Sequence, residues 1–79
     1  MTREQIIKAA DSNNARGFLN LLDDRDINYA VLDMDDIGNP NDGYCNIAVE
    51  GLDAGEAILF IDGEFAGLSK KFKKSCQNA

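Results

Sequence analysis

The chain has 79 residues, 44% of them apolar and 28% charged, with a single proline, a composition that fits a folded globular unit and not a disordered tail. So short a chain forms one small acidic domain, residues 1–79, whose core must be economical, because folding buries only about two-thirds of the surface that the unfolded chain exposes. A net charge of −6 opposes nucleic acid and membrane surfaces, and the absence of histidine removes the usual base for a Ser or Cys nucleophile, so no enzyme activity, catalytic residue or cofactor is expected.

Thr2 reads as a helix N-cap, since Gln5 stands where a capping box needs it and Met1 with Ile6 occupy the positions of a hydrophobic staple. A first helix is predicted over about Arg3 to Ala10. The cluster "DSNN" is a second capping signal, followed by Ala15, Phe18, Leu19 and Leu22 at the spacing of one buried helical face, so a second helix should end near Asp24. Gly17 inside it costs about 1 kcal/mol relative to alanine, or marks close packing against helix one. After Ile27 the pattern changes to short β-rich runs, "NYAVLDM", "YCNIAVE" and "EAILFID", separated by Gly, Asn and Asp clusters. Asp62-Gly63 is a strong hairpin signal, so "EFAGL" should return as a further strand antiparallel to "AILFI". "LSKKFKKSC" predicts a short final helix with Leu68, Phe72 and Cys76 on one side. The expected class is α+β: an N-terminal helical hairpin, a three- to four-stranded antiparallel sheet and a short C-terminal helix.

The segment "IIKAADSNNARGFLNLLDDRDIN" resembles the helix pair of an ankyrin repeat in its Ala-Ala pair, its Leu-Leu pair and its closing Asp-Ile-Asn. It covers under a third of the chain. The linker after Leu22 is a residue short, the Thr-Pro-Leu-His signature is absent and no second repeat follows. A lone repeat cannot bury its stacking face, so the segment is read as a generic helical hairpin and no ankyrin function is carried over.

The longest apolar runs, such as "AILFI", fall far below the roughly 20 residues that cross a bilayer. The N-terminus lacks the apolar h-region of a secretory signal, so a cytoplasmic location is expected, with Cys45 and Cys76 as reduced thiols.

Charge is unevenly spread. Residues 26–64 contain ten acids and no Lys or Arg, whereas residues 65–79 contain four lysines and no acid. The "KKFKK" lysines suit a helix C-terminus, where cations favour the dipole, and direct nucleic-acid binding is not expected from a chain with an acidic body.

The densest stretch is "DMDDIGNPNDGY", Asp33 to Tyr44. Tested as an EF-hand loop from Asp33, positions 1, 3 and 6 fit (Asp33, Asp35, Gly38), but positions 5 and 12 are Ile37 and Tyr44, and both should supply oxygen ligands. An irregular cation site using Asp35, Asp36, Asn39, Asn41 and Asp42 stays open as an alternative; the commoner origin of such a stretch is a polar turn, and no metal ligand is assigned. If "AVLDMD" is a strand, Asp33 and Asp35 point the same way about 7 Å apart, a spacing comparable with two base steps of a DNA strand, about 3.4 Å each. Asp36 and Asp42, with Glu50, Asp53 and Glu56 in the next turn, would extend this array, and Tyr29 or Tyr44 would anchor a partner.

Small size, an acidic face and no catalytic equipment resemble, in type and not in motif, the phage and mobile-element inhibitors that act stoichiometrically, such as anti-CRISPR and anti-restriction proteins, some of which mimic DNA. The function expected is therefore that of a non-enzymatic binding protein whose partner is a protein with a basic, nucleic-acid-binding surface. The alternative is a small divalent-cation-binding or regulatory module using the Asp33–Asp42 loop. No membrane partner is expected. The chain should be a monomer or a weak homo-oligomer, the latter if the cationic end of one copy meets the anionic body of another.

Overall fold

The computed structural model describes residues 1–69. Helix α1 spans Arg3–Asp11, and its start is the expected capping box: Thr2 Oγ1 accepts from the Gln5 amide at 3.2 Å while the Gln5 side chain accepts from the Thr2 amide at 2.9 Å. Two backbone donors that helix geometry leaves without partners are thereby satisfied. Helix α2 spans Ala15–Asp24, with Asn14 as N-cap accepting from the Gly17 amide at 2.7 Å. A methyl group at Gly17 would lie 3.0 Å from the Asn14 carboxamide oxygen and 3.4 Å from that of Asn13. The glycine thus leaves room for the cap itself, not for packing against helix α1.

The strands are β1 (Tyr29–Met34), β2 (Tyr44–Val49), β3 (Ala57–Ile61) and β4 (Glu64–Ser69). They form one antiparallel sheet in the order β1-β2-β3-β4. Ile61 pairs with Glu64 across the two-residue turn Asp62-Gly63, whose φ angles of 50° and 84° are those of a type I′ hairpin, the turn whose twist matches the strands it joins. The Gly63 carbonyl accepts from the Ala15 amide at 3.1 Å, fixing this hairpin to the start of α2. Leu68 and Ser69, expected to open a final helix, instead extend β4, and the rest of that expected helix lies outside the described residues.

Both helices cover one face of the sheet. Ile6, Ala10, Ala15, Phe18 and Leu22 meet Cys45, Ile47, Val49, Ile58 and Phe60 in one buried cluster. Its centre is aromatic: the rings of Phe18 and Phe60 lie 5.6 Å apart, and Phe65 meets Phe60 edge-on at 6.3 Å, arrangements that ring quadrupoles favour. On the other face the cross-strand row is Asp33, Asn46, Leu59 and Gly67. There Asn46 is buried and accepts from the Ser69 hydroxyl at 2.9 Å.

Strand β1 does not run in one phase. Its partners step from Val31↔Ile47 to Asp33↔Asn46, so two steps on β1 match one on β2: a β-bulge with Leu32 as the extra residue. Tyr29, before the bulge, packs against the core with its partner Val49; after it, Met34 does so beside Cys45. Asp33 therefore faces away from the helices. Among the described residues no helix is long and apolar enough to cross a membrane.

The hairpin yields a direct test. Gly63→Ala forces a side chain into a left-handed conformation and against Asn41, 3.1 Å from the new methyl group. It should lower stability by about 1–2 kcal/mol, read as a lower urea midpoint at unchanged slope.

Candidate functional site

The β1–β2 loop and the β3–β4 turn lie at the same end of the sheet. Asp33 ends up on the outward face beside Tyr44, whose hydroxyl donates to Asp33 Oδ1 at 3.2 Å. Asp35 continues the ladder by one bond, its amide donating to the Tyr44 carbonyl at 2.9 Å. Its carboxylate lies over Gly43, where any side chain would run into it. Gly43 also donates its amide to Asp62 Oδ1 at 3.0 Å, and the Asp62 amide returns a bond to the Gly43 carbonyl at 2.8 Å. In the next row along this end Ile61 pairs with Tyr44 on one side and with Glu64 on the other.

Between Asp35 and Gly43 the chain is braced by its own turns and by α2. The Asn39 amide donates to the Asp36 carbonyl and the Asp42 amide to the Asn39 carbonyl, at 3.0 and 3.1 Å. Arg16 reaches across from the first turn of α2, its amide donating to Asn41 Oδ1 at 3.1 Å and its guanidinium to the Gly38 carbonyl at 3.0 Å. Within the loop Pro40 is buried, while Asp36 and Asp42 stay exposed. This end thus assembles Asp33, Asp35, Asp36, Asp42, Asp62 and Glu64, all exposed.

Glu50, Asp53 and Glu56 do not join them. They lie in and beside the β2–β3 connection, at the opposite end of the sheet. From Tyr44 to Glu50 is six strand steps, or about 20 Å, more than two screening lengths at physiological salt, so the fields of the two ends act nearly independently. Glu56 is not a surface acid either. Its side chain is 1% exposed and forms a fork with Arg3, Nε to Oε1 at 2.9 Å and Nη2 to Oε2 at 2.8 Å, while its Oε1 also accepts from the Asp53 amide at 3.0 Å. Asp53 stands 3.7 Å from the same guanidinium. The hydrogen bond to Glu56, and then its charge, raise the Arg3 pKa above the ordinary value. Glu50 receives a bond from the Asn28 carboxamide at 3.3 Å. These acids are engaged in tying helix α1 and the start of β1 to the β2–β3 connection.

The two tyrosines lie on opposite faces. Tyr29 packs against the core and donates to Asp23 Oδ1 at 2.8 Å, a bond that raises its pKa above the ordinary phenol value. Only Tyr44 stands within the acidic end. Cys45, its neighbour, is buried in the core; desolvation, with a further contribution from Asp33, raises its thiol pKa, so it is held protonated and unreactive at neutral pH. Among the described residues no three acidic or cysteine side chains gather as a metal ion would require.

Sequence reasoning left out Asp62 and Glu64. The signal that finds them is topological: in an antiparallel meander successive connections alternate ends, so the first and third share one end and the second takes the other. Comparison with protein-family models, curated proteins and solved structures finds no match to this chain.

The hydrogen bond to Asp33, and then that carboxylate's charge, raise the Tyr44 pKa, with partial burial and Asp35 adding to the shift. A phenol that holds its proton more tightly when folded contributes stability that is complete below the ordinary phenol pKa of about 10 and is lost as pH rises through the raised value. Tyrosinate absorbance should therefore develop late in the folded protein. Asp33→Asn should bring one of the two phenols back toward the ordinary range, and an unchanged titration would contradict the Tyr44–Asp33 geometry.

Proposed function

We propose that this chain is a non-enzymatic acidic binding protein that acts stoichiometrically on a partner protein through the acidic end of its sheet. The partner is a protein with a basic, nucleic-acid-binding surface, which the chain inhibits by occupying the groove built for phosphates. In type this resembles phage and mobile-element inhibitors of the anti-CRISPR or anti-restriction kind, including DNA mimics.

The observation that carries the reading is the gathering of Asp33, Asp35, Asp36, Asp42, Asp62 and Glu64 around one braced loop and one tight turn. Fixed carboxylates whose fields add steer a basic partner in diffusional encounter and fix its register, more than they add raw affinity. A braced loop also loses little conformational freedom on binding. Tyr44, held by Asp33 within this end, supplies aromatic surface of the kind enriched at interface centres.

The test is capture from host lysate at low salt by immobilised protein, repeated with a variant carrying Asp33→Asn, Asp35→Asn, Asp36→Asn and Asp42→Asn. Nucleic-acid-binding proteins should be retained by the parent, released as salt rises and lost with the variant. Titrating the purified partner should block its nucleic-acid binding at a fixed molar ratio. For the variant, association should slow and its salt dependence flatten; capture of the same proteins at the same salt would refute the proposal.

A further inference from the structure

We propose, resting on the acidic surface above, that Ile37 is the anchor of the interface, and that the partner presents an apolar socket ringed by Lys and Arg side chains. Ile37 is 91% exposed, against 39% for Val31 and 44% for Ile61, the other exposed large apolar side chains among the described residues. A lone exposed aliphatic side chain is ordinary on a protein surface. What separates Ile37 is how it is held.

Asp35 and Asp36 precede it and Gly38 follows, with φ of 108°, a conformation that turns the chain sharply where a side chain would be strained. The Gly38 carbonyl is gripped by the Arg16 guanidinium, Asn41 by the Arg16 amide, and Pro40 is buried. The anchors of this loop therefore come from a separate helix, and the isoleucine stands outward on a preorganised support. A branched apolar side chain that enters a partner pocket without ordering its own loop turns nearly all of its desolvation into affinity. The surrounding carboxylates suit a cationic rim that closes round the contact and excludes water. An apolar surface without cations, or a cationic surface without a socket, matches only half of this arrangement.

Two synthetic peptides of equal length and lysine content serve as probes, one with leucine and the other with serine at the remaining positions. The parent protein should bind the leucine peptide about tenfold more tightly or better. Ile37→Ser should abolish that difference while leaving affinity for the serine peptide and the melting temperature unchanged. The four-asparagine variant should weaken both peptides and keep the leucine preference. Equal binding of the two peptides by the parent, or a leucine preference that survives Ile37→Ser, overturns the anchor. Unchanged binding of both peptides by the four-asparagine variant instead overturns the acidic surface on which the anchor rests.

Discussion

One extra residue in an edge strand decides which way Asp33 faces. In β1, Tyr29 faces the core, and strict alternation would carry Val31, Asp33 and Asp35 to the same side. The bulge at Leu32 reverses the phase, so that Met34 enters the core and Asp33 faces away from it. The energetic reason is one-sided: burying an ionised carboxylate without a partner costs several kcal/mol, whereas Met34, half-buried against the core, gains from the apolar surface it covers. A ladder without the bulge would lose both terms at once. The fold thus tolerates a local irregularity in order to keep its hydrophobic set and its charges on opposite sides.

The alternation of connections from one end of the sheet to the other explains why nine of the ten acids of residues 26–64 do two different things. At one end of the sheet, loop and hairpin hold carboxylates outward on a braced frame. At the other, Glu56 is buried in a fork with Arg3, and Asp53 stands beside it. Removing Arg3 would be costly, because the Glu56 carboxylate would stay desolvated, whereas the Arg3 side chain is itself 40% exposed. The role of the pair is to join helix α1 to the β2–β3 connection, and its charge is neutralised locally. Six exposed carboxylates therefore share the Asp33 end of the sheet, while at the other end Arg3 balances the charge of Glu56.

Local structure was closely legible in the sequence. The Thr2–Gln5 box, the Asn14 cap and Asp62-Gly63 each act through neighbours within a few positions, and all three appear where the residues place them. Contacts that join distant residues were not legible. Arg3 and Glu56 stand 53 positions apart, and nothing in either segment announces the pair. The bulge is equally silent, since a one-residue phase shift leaves no mark in composition. Tyr29 and Tyr44 seemed equivalent anchors until the pairing register put them on opposite faces. The placing of Asp62 and Glu64 at the same end of the sheet as Asp33 belongs between these cases: it follows from the alternation of turns in a meander, once four antiparallel strands are accepted.

The register of β1 against β2 is the most direct measurement of all this. Nuclear Overhauser contacts across the two strands should join Asp33 to Asn46 and Met34 to Cys45, with the Met34 methyl group among the core side chains. Contacts joining Asp33 to Cys45 in an unbroken ladder would turn that carboxylate toward the helices and contradict the account.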